Sequence, residues 1–435
     1  MQFLPRIFFL LLLVFGVGFF IKNIRRLKRN IQLGKDVYRK GQLKKRWTIM
    51  TLLAFGQSKM VRRPVVGFFH LIVYIGFIII NIEIVEIVLD GLLGTHRLFS
   101  FAGDVYYFLI GSFEVLALLV FVAVTVFWCR RNVLRLKRFW SKEMTAWPKN
   151  DANYILYFEM VLMILFLTMN ATDVNFQNLD SGNPVSQYLY PYFQSLSSTT
   201  IHFIERFAWW LHISGILVFL NYLYYSKHLH ILLAFPNTFY SNLEAKGKFV
   251  NNDAVTKEVK TMLDPSADPY ATGDETEAVP ERFGASDVTD LNWVQLMNAY
   301  TCTECGRCSS VCPANQTGKE LSPRSIMMKT RDRLEEVGRN IDTNKGAFKE
   351  DGKQLLNDYI TPEELWACTS CNACVEECPV SIDPLSIIMD MRQYLVMEES
   401  SAPQELNTMM SNIENNGAPW PYNQMDRLNW KDEGN

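Results

Sequence analysis

The sequence predicts an all-α protein in two parts, a five-helix transmembrane bundle followed by a helical soluble domain. The first half contains five long apolar runs, and the second contains two short cysteine runs separated by helix-forming sequence. Residues 1–230 carry 25 Lys and Arg against 12 Asp and Glu, whereas residues 231–435 carry 18 against 33. This division is typical of a basic membrane half joined to an acidic soluble half, and nothing in it suggests nucleic-acid binding.

The first apolar run covers residues 5–21 and is followed at once by a basic cluster. A secretory signal peptide would carry its charges before the apolar run and a small-residue cleavage site after it, and this stretch has neither. We therefore predict a first transmembrane helix whose N-terminus lies outside.

Four further apolar runs are each long enough for a hydrocarbon core of roughly 30 Å. They cover residues 64–89, 102–128, 153–171 and 204–226. Residues 22–63 hold 14 Lys and Arg with one acid, and residues 129–150 hold seven Lys and Arg with one acid. By contrast, residues 173–203 contain no Lys or Arg. The positive-inside rule then predicts a multi-pass protein of a bacterial cytoplasmic (inner) membrane with both basic loops and the C-terminal half in the cytoplasm.

Composition divides the chain into four regions. They are a membrane domain over residues 1–240, an acidic linker over 241–290, a cysteine-containing domain over 291–395 and a polar tail over 396–435. The linker is rich in Asp, Glu, Pro and Gly and shows no sustained period, so we expect a surface connection. The chain has no P-loop, dinucleotide fingerprint or nucleophile elbow, so no nucleotide site or hydrolase is indicated.

Eight of the nine cysteines lie in two runs of identical spacing, and each run ends in Cys-Pro. Three thiolates at two-residue intervals can wrap around three irons of a cubane, while the fourth reaches across to the other cluster. We therefore predict two 4Fe-4S clusters with exchanged fourth ligands. The first-run set is Cys302, Cys305, Cys308 and Cys378, and the second-run set is Cys368, Cys371, Cys374 and Cys312.

Paired zinc sites are the alternative interpretation of these cysteines. Zinc needs four ligands per site and gives no reason for a third cysteine at the same interval or for the repeated Cys-Pro ending. A disulfide framework fits less well, because Cys129 is the only other cysteine and the predicted cytoplasmic compartment is reducing.

Five of the six histidines lie in or beside the second and fifth spans, where ionisable groups indicate function. His212 and His230 are 18 residues apart, which on one continuous helix is five turns and about 27 Å, so they would share a face. His228 would lie about 160° away and is left out as a ligand. His70 lies six residues after Pro64, and His230 lies six before Pro236. If both prolines mark cytoplasmic helix ends, His70 and His230 are the two axial ligands of an inner b-type haem.

An outer haem would need a partner for His212. His96 is the candidate, although it lies beyond two glycines and its direction does not follow from helix phase. The alternative is that these histidines bond only lipid headgroups or carbonyls. Glu83, Glu86 and Glu114 also lie at membrane depth, where they would serve a proton or quinol route or pair with Arg and Tyr.

Three segments of the membrane half carry a family resemblance. They are GQSK at 56–59 with GFFH at 67–70, WWLH at 209–212 and YSKHLH at 225–230. They resemble the cytochrome b (gamma) subunit of respiratory nitrate reductases, and more closely the form of that domain in membrane-bound heterodisulfide-reductase-like iron-sulfur proteins. The resemblance implies a five-helix bundle with b haems on the second and fifth helices, and ligands at His70, His212 and His230. The chain departs from it at residues 78–81, where a second histidine on the second helix is missing.

The soluble half resembles the small ferredoxin-like subunit of heterodisulfide reductases and the C-terminal half of succinate dehydrogenase iron-sulfur subunits. Residues 313–367 separate the two runs and include a helical pattern at 323–328 and a capping sequence at 361–365. We therefore predict a helical double 4Fe-4S ferredoxin domain rather than a β-rich one. Related catalytic subunits carry Cys-Cys-Gly motifs, and this chain has no adjacent cysteines.

These observations predict an electron-transfer subunit of a membrane quinone-linked oxidoreductase. Electrons would pass between a cytoplasmic partner and the quinone pool through two 4Fe-4S clusters and one or two b haems, with the substrate site on another chain. The resemblance implies a partner with a Cys-Cys-Gly domain, a flavoprotein or an electron-transfer flavoprotein. The alternatives are a membrane polyferredoxin that assists assembly of a respiratory complex, and a purely structural anchor.

Overall fold

The computed structural model describes residues 3–179, 181–249, 251, 253–264, 266 and 282–432. Within these ranges the backbone forms helices and turns, and the only strand-like pairings are two isolated bridges. The all-α prediction is confirmed for this part of the chain.

Five helices are long and apolar enough to cross a membrane. They are α1 (Phe3–Ile31), α3 (Pro64–Leu93), α4 (Asp104–Asn132), α5 (Ala146–Thr172) and α7 (Ser198–Tyr222), the last extended by a 3₁₀ turn to Tyr225. Two short helices, α2 (Leu43–Met50) and α6 (Val174–Gln177), lie in connections. The five apolar runs predicted as spans each lie in a helix long enough to cross a membrane, although most of the helices extend beyond the apolar runs, as α1 does into the basic cluster that follows it.

The spanning helices close into a ring. Along it α1 packs on α3, α3 on α4, α4 on α5, α5 on α7, and α7 back on α1. The interior holds buried side chains such as Phe9, Ile110 and Phe166, whereas many apolar side chains on the outside are exposed, as in Phe15 and Phe108. An apolar exterior is the surface that a bilayer would cover.

Local sequence explains where the bundle helices begin and end. Pro64 is the first residue of α3, where its missing N–H costs nothing, and Gly94 ends that helix in the left-handed region. Ser197 accepts a hydrogen bond from the backbone of Thr200 and so caps α7.

The fifth span does not continue as one helix to His230, and this part of the prediction is wrong. Ser226 is extended (φ −112°, ψ 157°), and its hydroxyl accepts from the His228 backbone N–H, so a new helix begins at His230. The phase argument that linked His212 to His230 and set His228 aside therefore does not hold. Pro236 lies inside that new helix rather than at a membrane helix end.

The remaining helices are short and belong mostly to the soluble half. They are α8 (His230–Phe239), α9 (Asp253–Leu263), α10 (Trp293–Thr301), α11 (Arg307–Val311), α12 (Pro313–Gln316), α13 (Pro323–Thr343), α14 (Leu355–Asp358, kinked), α15 (Pro362–Trp366), α16 (Ala373–Glu377), α17 (Pro384–Met397) and α18 (Gln404–Asn416). The helical patterns expected at 323–328 and 361–365 begin α13 and α15. Helix α9 lies in the region expected to be an irregular linker, and residues 267–281 of that linker lie outside the described residues.

One hydrophobic core joins the soluble half to one end of the bundle. Leu27 of α1 and Leu233 of α8 pack in the same cluster as Leu296 and Leu334 of the soluble half. The Lys35 backbone N–H donates to the Leu291 carbonyl at 2.8 Å, and the Trp293 N–H donates to the Lys35 carbonyl at 3.1 Å. The cysteine runs are consequently held against the membrane end of the molecule.

Candidate functional site

The two cysteine runs have the same backbone path. In each run the residues two and four places after the first cysteine have positive φ: Glu304 and Gly306 in the first run, Ser370 and Asn372 in the second. A one-turn helix then presents the third cysteine, and the fourth begins the Cys-Pro step. The two runs therefore share one loop conformation, which was visible in the sequence only as spacing.

Packing of α11 against α16 brings the runs together. The charge of the Cys308 thiol interacts with Cys302 and Cys305 of its own run and with Cys378 and Cys374 of the other. The charge of Cys374 interacts with Cys368 of its own run and with Cys312 of the other. Thiols of the two runs are therefore close to one another, and the division into a first-run and a second-run set stays a prediction.

Burial keeps these thiols protonated in the absence of a counter-charge. It raises the pKa of Cys302 and of Cys374 to about 12, and that of Cys378 to about 11. A bound metal reverses this, because coordination deprotonates a thiol outright. Backbone N–H groups already point at two sulfurs, from Ser370 to Cys368 Sγ at 3.4 Å and from Ile382 to Cys378 Sγ at 3.3 Å. Such bonds are characteristic of cluster ligands, so the donor set fits 4Fe-4S centres.

Single-ion sites of the zinc type are not formed by the described side chains. Among them no three His, Cys, Asp or Glu side chains come together as the ligands of one metal ion do. A mononuclear zinc site needs four such ligands on one ion, whereas a cubane spreads its thiolates over four irons.

The loop that precedes α3 forms hydrogen bonds and ion pairs with the second cysteine run. Lys59 Nζ donates to the backbone carbonyls of Glu376 at 2.9 Å and Cys378 at 3.2 Å. Arg62 pairs with Glu376 at 3.0 Å and Arg63 with Glu377 at 2.6 Å. The segment that carried the sequence resemblance thus holds the Cys-Pro end of the second run against the bundle.

Lys227 links the first cysteine loop to a candidate haem ligand. Its Nζ lies 2.5 Å from Glu304 Oε2, between Cys302 and Cys305, and Arg331 pairs with the other oxygen of Glu304 at 2.8 Å. The carbonyl of Lys227 is 3.0 Å from His230 Nδ1. Glu304 is buried, while Lys227, Arg331 and His230 are partly buried, so one residue bridges the cluster loop and the imidazole.

His70, His228 and His230 lie together at the end of the bundle that meets the soluble half. The rings of His228 and His230 are 5.4 Å apart, and His70 is close enough to both for their charges to interact. His70 Nδ1 is buried without a hydrogen-bond partner among the described residues. His228 Nε2 faces Glu159 at 3.5 Å, a placement that the helix-phase argument missed.

His230 makes the hydrogen bond that is common for metal-ligating histidines, from one ring nitrogen to a backbone carbonyl. Burial lowers its pKa, so the imidazole is neutral, and Nδ1 bonds the Lys227 carbonyl and leaves Nε2 free. The buried nitrogen of His70, unpartnered among the described residues, would be the second donor. The residues present therefore fit a bis-histidine haem.

The outer pair of predicted ligands is arranged differently. His212 is buried beside Phe166, with its Nδ1 unpartnered among the described side chains. His96 is 46% exposed, and its Nε2 lies 3.1 Å from Asp173, which also binds Arg97 at 2.8 Å. The His96 imidazole is therefore engaged in an ion-pair cluster at the end of the bundle.

The three membrane carboxylates are buried, and two of them have clear partners. Glu86 accepts from the Phe99 backbone at 2.8 Å and Tyr106 at 3.1 Å, and Glu114 accepts from Asn170 at 3.0 Å and from backbone N–H groups. Glu83 keeps one oxygen without a partner in the described structure. It lines a cavity of about 410 Å³ together with Glu86, His96 and Trp209.

Comparison with known proteins supports the cluster assignment. Residues 301–382 match the family model described as a 4Fe-4S dicluster domain. The chain therefore contains an iron-sulfur domain, and both cysteine runs lie within it.

Three curated relatives are iron-sulfur, quinone-linked or heterodisulfide-reductase-like proteins by name. The chain is 28% identical to a "Probable iron-sulfur-binding oxidoreductase FadF" of Bacillus subtilis, over 98% of this chain and 60% of the relative. It is 25% identical to an "EtfAB:quinone oxidoreductase" of Syntrophomonas wolfei, over 92% and 55%. It is 29% identical to a heterodisulfide-reductase-like protein of Archaeoglobus profundus, over 29% and 54%. The chain thus spans less than two thirds of the length of each, and no solved structure matches it.

Proposed function

We propose that this chain is an electron-transfer subunit of a membrane quinone-linked oxidoreductase. Electrons would pass between a cytoplasmic partner and the membrane quinone pool, and the substrate site would lie on another polypeptide. The observation that carries the proposal is the bridge through Lys227, which binds Glu304 in the first cysteine loop and His230 beside His70. A cluster loop linked to two neighbouring imidazoles is the arrangement of an electron relay rather than of a substrate pocket.

The residues of the relay would hold three groups. The first-run set and the second-run set would each hold a 4Fe-4S cluster, and His70 and His230 would be axial ligands of one b-type haem. These groups supply one-electron redox chemistry, while the chain fixes their spacing, orientation and electrostatic surroundings. We do not include a second haem, because His96 Nε2 is already bound to Asp173.

The direction of insertion follows from charge. The basic loops at residues 22–63 and 129–150 meet the soluble half at the same end of the bundle, through Lys59, Arg63 and Arg138. The positive-inside rule would put this end in the cytoplasm of a bacterium and the N-terminus outside. The cluster thiols would then lie in the reducing compartment.

The names of the relatives suggest which redox partners the relay connects. One of them is named for an electron-transfer flavoprotein and a quinone, and both long relatives exceed this chain in length. We propose a flavoprotein of the electron-transfer type as the cytoplasmic partner and a membrane quinone as the other substrate. A separate chain with a Cys-Cys-Gly domain is the second candidate partner, supported by the heterodisulfide-reductase-like relative.

A reduced-minus-oxidised optical spectrum of the purified chain tests this proposal. The relay predicts a b-type α band that disappears in His70→Ala and in His230→Ala. His202→Ala is the matched control, since His202 is 75% exposed on α7. Iron-sulfur absorption without any α band would contradict the relay and would favour the assembly-factor alternative, which needs clusters but no haem.

A further inference from the structure

Arg138 is a buried guanidinium beside the first cysteine loop. It lies in the turn between α4 and α5, and its backbone packs against Gly306, which lies between Cys305 and Cys308. Its Nε and one Nη are buried with no hydrogen-bond partner among the described residues. The thiolate of Cys305 is the opposite charge with which it interacts most strongly. The guanidinium also lies over the Phe139 ring at 4.9 Å, so a cation stands beside the first-run set with two of its nitrogens unpaired among the described residues.

Two further cations surround the same set. Arg307, within the run itself, is 4% exposed, and its Nη1 donates to the Lys59 carbonyl at 3.2 Å. Lys59 Nζ in turn donates to the Cys378 carbonyl. The nearby carboxylates are already paired, Glu304 with Lys227 and Arg331, and Glu377 with Arg63. The local excess of charge around the first-run set is therefore positive.

The second-run set has a different environment. Asp383 lies beside Cys374 and a few residues after the Cys-Pro step, and its charge interacts with that thiol. Two cations are nearby. Arg392 donates to the carbonyls of Leu365 and Cys368 and stacks on Trp366, and the charge of Arg39 offsets that of Asp383. Cys371 is exposed. This set is closer to neutral and faces the solvent.

We propose that Arg138 gives the first-run cluster a higher reduction potential than the second-run cluster, which makes the exposed second-run side the entry point for electrons. Reduction adds negative charge, so a nearby guanidinium stabilises the reduced state and a nearby carboxylate opposes it. The proposal rests on the proposed function, and it adds the order and the direction of transfer.

One electron moves at each step along the relay. A cytoplasmic donor of the flavin class gives one electron to the second-run cluster, which is reduced. That cluster is reoxidised when the electron moves to the first-run cluster, next to Lys59 and Arg307. From there the electron leaves towards His70 and His230 and finally to a membrane quinone, which takes up two electrons and two protons in total to become a quinol.

An EPR-monitored redox titration of the full chain with both clusters present tests the proposal. In the wild type, the first-run signal should appear at the higher potential. Cys371→Ser assigns the signals, because an oxygen ligand alters only the second-run spectrum. Arg138→Gln should lower the midpoint potential of the first-run cluster by at least about 59 mV, which for one electron is a tenfold change in the reduced-to-oxidised ratio. The midpoint potential of the second-run cluster should not change.

Two matched variants separate charge from structure. Arg135→Gln removes a cation from the same turn, but Arg135 is exposed over Trp140, so both midpoints should stay unchanged. Arg138→Lys should keep most of the wild-type first-run midpoint. If Arg138→Gln leaves the first-run midpoint unmoved, or if the wild-type first-run signal is the lower of the two, the inference is wrong. Absence of both cluster signals would instead overturn the proposed function itself.

Discussion

Lys227 Nζ lies 2.5 Å from Glu304 Oε2, and this buried ion pair joins the membrane bundle to the loop that presents Cys302 and Cys305. The Lys227 side chain is 10% exposed and the Glu304 side chain 3%, so the pair is almost completely shielded from solvent. Removing one partner of such a pair lowers the free energy of unfolding, because the other charge stays buried without its partner.

Lys227→Met should therefore destabilise the folded chain by about 1–3 kcal/mol, less than an isolated pair would lose, because Glu304 keeps Arg331. Thermal unfolding of the purified protein in detergent measures this. The haem should remain, since His230 bonds the backbone of residue 227 rather than its side chain.

Lys142→Gln is the control for this variant, because Lys142 is 92% exposed and lies 3.7 Å from an exposed Glu320. It should change stability by less than about 0.5 kcal/mol. Equal unfolding temperatures for Lys227→Met and the wild type would show that the bridge does not stabilise the docked domain.

The crossed fourth ligands give a prediction about iron content. Cys378→Ser should alter the same EPR signal as Cys305→Ser, although Cys378 belongs to the other run, because the structure groups their charges together. Each variant should lose about half of the roughly eight irons. Cys129→Ser, in α4, should keep the full content. If Cys378→Ser instead altered the signal affected by Cys371→Ser, the assignment of the sets would be wrong.

The inner haem gives a prediction about the third histidine. His228→Gln should keep the b-type α band, because its Nε2 faces Glu159 rather than the gap between His70 and His230. Haem per polypeptide, measured as the pyridine complex, should stay at about one in His228→Gln and in His96→Ala and fall to near zero in His230→Ala. Retention of haem in His230→Ala together with its loss in His228→Gln would assign the ligand to His228.

Asp390 gives a prediction about pH. Burial raises its pKa from 3.8 to about 6, even though Gln295 donates to it at 2.6 Å. Between these values the folded chain holds more protons than the unfolded chain, so this carboxyl lowers stability as the pH rises from about 4 to 6. Above pH 6 the cost is constant.

Asp390→Asn should therefore raise stability at pH 7 by about 1–3 kcal/mol and make the fall between pH 4 and 6 shallower. Unfolding midpoints across this range measure the effect, and Glu399→Gln, an exposed carboxylate two residues past the end of the same helix, should match the wild type. A steeper fall in Asp390→Asn would contradict the sign.

The features that depend on local sequence could be predicted before the structure was known. The five long apolar helices follow from apolar runs, and the shared backbone path of the two cysteine runs accompanies their identical spacing. The start of α15 follows from the Thr361 and Glu364 capping pair, whose side chain and backbone bonds are present. In each case the residues that decide the structure are neighbours in the chain.

The features that depend on tertiary contacts could not be predicted. Helix arithmetic failed at Ser226 because one capping hydroxyl outweighed the continuity of the apolar pattern. Lys227 and Glu304 are 77 residues apart, and Arg138 meets Gly306 across an even longer separation. No local signal marks either contact. The closeness of His70 to His230 was expected, but the helix geometry used to argue it was wrong.

The central claim is that the clusters, the inner haem and the quinone form one path. Rapid mixing of the dithionite-reduced chain in lipid nanodiscs with a menaquinone analogue tests it most directly, with the b-type α band and the cluster signals followed together. The account predicts that the α band and both cluster signals decay on adding quinone, and that His230→Ala leaves the clusters reduced. A wild-type chain whose clusters are reoxidised with no α band, or whose α band stays reduced, would contradict it.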